Sequence, residues 1–262
     1  MTKILYVIGN GSRNNNQELK WSLRSLDKYV VDDIQPVIVG TVPEWFKGDA
    51  VECQDPTDRK AKNIEHKIEV AIDKKLVEGR FQVSSDDHFW MRPVQLEKLP
   101  ICWRQSVLPK WDGKGNNYDA GLAGTRELLL GCGYSAINTS CHINHWADSN
   151  DLPAVWQVTR RLNNAIAGGA WYSDQGLEDL KLADKFGINP AAMWPNLMIG
   201  SGRPDRLRVA YRPDIKFGNI DGEELEKYKN RACISINDDA FLSRAFIALM
   251  EEKFSGKSRW EK

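Results

Sequence analysis

An α/β fold, a mostly parallel central sheet flanked by helices in a single domain, is what this sequence predicts, on three observations. Strand-like and helix-like segments alternate through residues 1–100. The apolar runs end on glycines or acids, the residues that leave a strand for a ligand crevice rather than extend it. The intervening segments carry leucines or isoleucines at helical spacing. Such alternation implies right-handed crossovers.

In chain order, Lys3 to Gly9 (KILYVIG) reads as a buried strand closed by the Gly9–Ser12 turn. Gln17 to Tyr29 aligns Leu19, Leu23 and Leu26 on one helical face, and Ile34 to Gly40 is the second strand. Thr57 to Lys74 carries Ile64, Ile68 and Ile72 four apart, the mark of a surface helix. Phe81 to Ser84 is a strand running into Asp86-Asp87. Beyond it, Trp111 to Gly124 is polar and glycine-rich and reads as a mobile lid. Pro153 to Ala167 and Ser173 to Phe186 read as helices, and Asn189 to Arg212 as a stretch broken by prolines and glycines. Asp239 to Phe254 reads as an amphipathic terminal helix followed by a frayed tail, SGKSRWEK.

Composition narrows the function classes. Thirty-six basic against 36 acidic residues give zero formal net charge over 262 residues, which argues against a protein that binds by neutralising phosphates along a nucleic acid. A local stripe, Arg203, Arg206, Arg208 and Arg212, is the one basic cluster that could face such an acceptor. No run approaches the roughly 18 apolar residues of a membrane span. The N-terminal run lacks the length and cleavage site of a signal peptide. Five widely spaced cysteines without a CxxC pair point to reduced thiols and a cytoplasmic protein. Cys132 and Cys141 with His142 and His145 offer a zinc set of unusual spacing. Ten tryptophans suit either a core or a platform for sugars and bases.

Ser84 to Pro93, SSDDHFWMRP, carries the chemistry. Adjacent carboxylates repel unless a cation or hydrogen-bond donors compensate them. A hard divalent ion bridging to a diphosphate does so, and an N-cap is the structural alternative. Asn237, Asp238 and Asp239 form a second acidic cluster, fit for capping the last helix or for acting as a base. His142 and His145, three apart, would share a face if helical, and one could supply a base or ligand, a hydrogen-bonded core histidine being the alternative.

The progression ELKWSLRSLDKY, PVIVGTVPEWF, NIEHKI and SSDDHFWMRPV, over roughly residues 3–95, resembles the conserved core of the Stealth-type sugar-phosphate transferases. It is similar also to a wider group of small phage and bacterial glycosyltransferase-like proteins. Downstream, SCHINHW resembles their H-x-P segment, with Asn144 in place of the proline, and SINDDAF resembles their second NDD segment. The resemblance implies a GT-A-like fold, with residues 1–100 as the nucleotide-sugar half and 101–262 as the acceptor half. It implies Mn²⁺ or Mg²⁺ on Asp87, with Asp86 and His88 in support. The donor would lie against Gly9, Asn10, Gly11, Ser12 and Asp86, with Arg24 and Lys62 reaching its diphosphate. His142, Asp238 and Asp239 would carry catalysis. The implied reaction is hexose transfer from a UDP-sugar to a hydroxyl of a glycan or of hydroxymethylated phage DNA, in a bacterial or phage-infected cytoplasm. Hexose-1-phosphate transfer and non-catalytic carbohydrate binding are the alternatives.

Overall fold

The computed structural model describes residues 1–10, 16–99, 101–103, 107–139, 145–168, 174–200, 207–209, 231–236, 240 and 243–262. The chain is α/β. A five-stranded sheet, ordered β3-β2-β1-β4-β7, comprises β1 (Thr2–Ile8), β2 (Ile34–Gly40), β3 (Ala50–Glu52), β4 (Arg80–Ser84) and β7 (His145–Asp148). The first four pair in parallel, and β7 runs antiparallel to β4. Helices α1 (Gln17–Tyr29) and α2 (Lys60–Asp73) make the crossovers. Two pairs lie outside the sheet: β5 (His88–Trp90) antiparallel to β9 (Cys233–Ser235), and β6 (Ile101–Trp103) parallel to β8 (Leu207–Val209). This is a Rossmann-like layout.

Period-two alternation splits β1 between two cores. Ile4, Tyr6 and Ile8 pack with Ile38 against Leu19, Leu23 and Leu26 of α1. Leu5 joins Val37, Val39, Phe81 and Val83 beneath the other helices. These are α2, α3 (Asn117–Gly131), α4 (Leu152–Gly168), α5 (Asp174–Phe186) and α6 (Pro190–Gly200). On its outer side α1 meets α7 (Arg244–Lys253), where Trp21 and Phe246 pack edge-on at 6.1 Å. Gly40 closes β2 at φ 119°, and a Cβ there would run into the Ile8 carbonyl, so only glycine lets the two strand ends approach.

Several expectations are corrected. The lid predicted over 111–124 is helical from Asn117 onward, started by a capping box between Asn116 and Asp119. Gly124 serves packing rather than mobility, since a Cβ there would lie 2.5 Å from Ala183 Cβ of α5. Asn189 to Arg212, predicted as broken, contains α6. Pro195 removes one helical N–H, and the carbonyl so freed, Ala191 O, accepts from Thr139 Oγ1 at 3.0 Å. The last helix begins at Arg244, where the Ser243 side chain accepts from Phe246 N at 3.2 Å, rather than at Asp239.

The tail expected to fray is docked. Glu261 bridges Phe46, Trp260 O accepts from Lys47 N, and Lys262 N donates to Trp45 O, both bonds at 2.8 Å. Trp21, Trp90, Trp146, Trp194 and Trp260 are buried in cores, so most of the described indoles offer no sugar platform. Cys53, Cys132 and Cys233 are free thiols. Among the described residues no helix is long and apolar enough to cross a membrane.

Candidate functional site

After β1 the chain moves outward to β2 and β3, then returns to place β4 on the other flank of β1. The strand order therefore reverses between β1 and β4, and in open α/β sheets ligands settle in the crevice at the carboxyl ends of such a switch point. Tyr6 pairs with Ser84 there. The Gly9-Asn10 turn and the Asp86-Asp87 loop thus leave neighbouring strand ends.

The turn after β1 is held from below. Lys67 of α2 is fully buried, and its ammonium donates to Ile8 O at 2.8 Å and to Asp55 Oδ1 at 2.5 Å. The other Asp55 oxygen accepts from Asn10 N at 3.4 Å, and the Asn10 side chain bonds Gln54 and Thr41. Among the described residues, a Cβ at Gly9 would lie 3.8 Å from Asp55 Oδ2, an ordinary contact. Gly11 and Ser12 lie outside the described residues.

The acidic loop is anchored at both ends by one buried chain of hydroxyls. Tyr6 Oη meets Ser22 Oγ at 2.8 Å and also reaches the Ser84 side chain; burial raises its phenol pKa well above the ordinary range. Ser22 Oγ donates to His88 O at 2.6 Å. Ser25 Oγ donates to Ser22 O and accepts from Trp90 N at 3.0 Å. Two serines of α1 therefore serve one edge of β5, whose other edge pairs with β9.

The carboxylates are poorly compensated. Burial first, then the charges of Asp87 and Glu18, push the Asp86 carboxyl up to about 7, against the pull of Lys60. Asp87 Oδ1 is buried and has no hydrogen-bond partner among the described residues, His88 Nε2 standing 3.8 Å away. Ile236 N donates to Asp87 O at 3.1 Å, so the strand leading into the second acidic cluster lies against the first. Asp238, Asp239 and His142 themselves lie outside the described residues.

His145 opens a strand, so the shared face that a helix would have given it with His142 does not arise. It pairs with Val83 at the carboxyl end of β4, and its Nε2 is buried without a partner among the described residues. Burial first, then the nearby His88, lower its pKa to about 3, so the ring is neutral.

Two predicted donor ligands are committed elsewhere. Arg24 forms a bidentate pair with Glu261, both contacts at 2.7 Å, and donates to Phe254 O at 2.8 Å. Lys62 faces Asp184 of α5 at 3.4 Å on an exposed surface. Lys60, which sequence reasoning missed, is the cation that acts on Asp86. Its signal lay in the basic run Arg59-Lys60, where α2 actually starts. Of the arginine stripe, Arg203, Arg206 and Arg212 lie outside the described residues, and Arg208 falls in β8.

The chain matches no protein-family model and no curated protein. Among the described residues no three His, Cys, Asp or Glu side chains are grouped to hold a metal ion. The donor set nevertheless fits a hard cation in its chemistry: two adjacent carboxylates, an unsatisfied Asp87 oxygen and excess negative charge around Asp86.

Proposed function

We propose that the chain is a cation-dependent transferase that moves a hexose from a UDP-sugar to a hydroxyl acceptor, a glycan or a hydroxymethylated pyrimidine. The observation that carries this reading is the under-compensated Asp86-Asp87 pair at the β1/β4 switch point, with Asp87 Oδ1 buried and without a partner among the described residues. Asp87, supported by Asp86, would hold Mn²⁺ or Mg²⁺, which when bound neutralises a departing diphosphate. Lys60 would add a positive charge on the same side, and the Gly9-Asn10 turn would receive the nucleoside. His145, a neutral ring whose Nε2 is buried, would line the β7 side of the crevice. The resemblance to the Stealth-type core supports the same reading, and the GT-A assignment and a cytoplasmic setting belong to it.

The test is incubation with mixed nucleotide-sugars, Mn²⁺, and glycan or hydroxymethylated-DNA acceptors, followed by mass spectrometry. UDP together with a hexose-modified acceptor supports the reading, and both should vanish with Asp87→Asn. UMP release would replace it with hexose-1-phosphate transfer. Sugar binding without any turnover would replace it with a carbohydrate-binding role.

A further inference from the structure

Two like charges side by side on a tight turn push that turn open, yet Asp86 and Asp87 sit on backbone held by three hydrogen bonds. His88 N donates to Ser85 O at 3.3 Å, which closes the turn with the two acids at its centre. Just past β9, Ile236 N donates to Asp87 O at 3.1 Å. Both polar groups of the Asp87–His88 peptide are thus committed. The next carbonyl, His88 O, accepts from Ser22 Oγ at 2.6 Å.

This third bond reaches the turn from a helix. Ser22 is buried on α1, and a serine has one hydroxyl proton to give. Here the proton goes to His88 O, so the Tyr6 phenol, 2.8 Å away, donates to Ser22 Oγ and fixes its rotamer. The same phenol reaches Ser84, where β4 ends before the turn. One buried pair of hydroxyls therefore touches the chain immediately before and immediately after the acids. Ser25 is buried on the same helix and also serves β5, but at Trp90 N, two residues further from the turn. Without the Ser22 hydroxyl, a buried His88 carbonyl would lose its donor, and the peptide beside the turn would rotate to find another.

We infer that Ser22, aided by Tyr6, is the positioning residue of the cation site. It holds the acidic turn in binding geometry before a cation arrives, against the repulsion of the two carboxylates. The inference rests on the cation reading of Asp86-Asp87. Neither hydroxyl is a ligand; both act through the backbone that carries the ligands. A turn already in place loses little entropy on binding, so loosening it shows as lost affinity.

Titration of the full chain with Mn²⁺, with the free ion counted by electron paramagnetic resonance, tests this without any turnover, and amide exchange in chelator tests the turn itself. Ser22→Ala should bind Mn²⁺ at least ~10-fold more weakly, and its His88 amide should exchange at least ~10-fold faster. Tyr6→Phe keeps the ring but frees the Ser22 hydroxyl to rotate, so it should weaken Mn²⁺ binding by a smaller factor, and it replaces Ser22→Ala should that variant fail to fold. Ser25→Ala is the control: it removes a buried serine bond to the same strand, so it should lower the melting temperature and leave Mn²⁺ affinity unchanged. Wild-type affinity in Ser22→Ala, or in Tyr6→Phe where that variant replaces it, overturns the positioning role. An equal loss of affinity in Ser25→Ala, or a His88 amide that exchanges no faster, does the same. A wild-type protein that takes up no Mn²⁺ overturns the cation reading, and this inference with it.

Discussion

Glu261 and Asp86 are both acids drawn into the protein, and they answer burial in opposite ways. Burial pushes the Glu261 carboxyl up, but the Arg24 fork and the Ser258 amide and hydroxyl outweigh it and hold the carboxyl below its ordinary value. Desolvation first, and then Asp87 and Glu18, raise the Asp86 carboxyl to about 7, with Lys60 and a backbone hydrogen bond opposing the rise. One acid is tied by partners supplied from its own chain. Among the described residues, the other has weaker compensation from its own chain. Local compensation thus separates the two carboxylates, and under the proposed function it is the less compensated one that would meet a ligand.

Four substitutions can break or sharpen that contrast. The largest effect belongs to Asp87→Asn, which should lower turnover by about 10³-fold or more, close to ~4 kcal/mol of transition-state stabilisation. Its melting temperature should hold or rise, because the change relieves repulsion at Asp86. A folded, fully active variant would place the poised site elsewhere.

Arg24→Ala should do the reverse. Stranding Glu261, whose side chain is 3% exposed, should cost about 3–4 kcal/mol in denaturant unfolding while leaving donor KM unchanged. The two acids should also bend stability with pH in opposite directions. Glu261's contribution is complete above the ordinary glutamate value and is lost as pH falls toward its lowered native value. Asp86's is complete below the ordinary aspartate value and is lost as pH rises through about 7. Melting curves in chelator should therefore lose acid-side slope in Arg24→Ala and show a shallower neutral-side slope in Asp87→Asn, where burial and Glu18 still act on Asp86.

Lys67→Met should cost about 2–3 kcal/mol, since Ile8 O loses a donor and Asp55 its cation. A donor KM that rises with it would show that the turn after β1 matters to binding. The smallest effect should be Lys62→Ala, below about 1 kcal/mol, because its ion pair with Asp184 is solvent-exposed. A large loss of turnover there would restore Lys62 to the diphosphate.

The first half of the fold was legible because its signals are local. The leucine face of Gln17–Tyr29 and the apolar run Ile34–Gly40 match α1 and β2 residue for residue, and β1 and β4 begin one residue earlier than expected. The second half was harder because its cues have two meanings. Gly121 and Gly124 signal freedom when read alone and close helix packing once α5 lies against them. Pro195 signals a break until Thr139, distant in sequence, takes the freed carbonyl. β5, β7 and β9 are three or four residues long, too short for any period to register. At the site, the acidic pair and its place at a strand end were readable. Arg24 was not, since nothing near it in sequence announces Glu261.

The Arg24–Glu261 pair joins residues 237 apart in the chain. During synthesis α1 emerges well before the carboxylate that neutralises Arg24, which lies 237 residues further along the chain. A contact of such separation carries a large loop-closure entropy and forms after the local ones. The β1–α1–β2 crossover unit must therefore wait, with a cation facing an unfinished interface, until the segment that carries Glu261 is made. Vectorial synthesis thus separates the making of the β1–α1 unit from the completion of its interface.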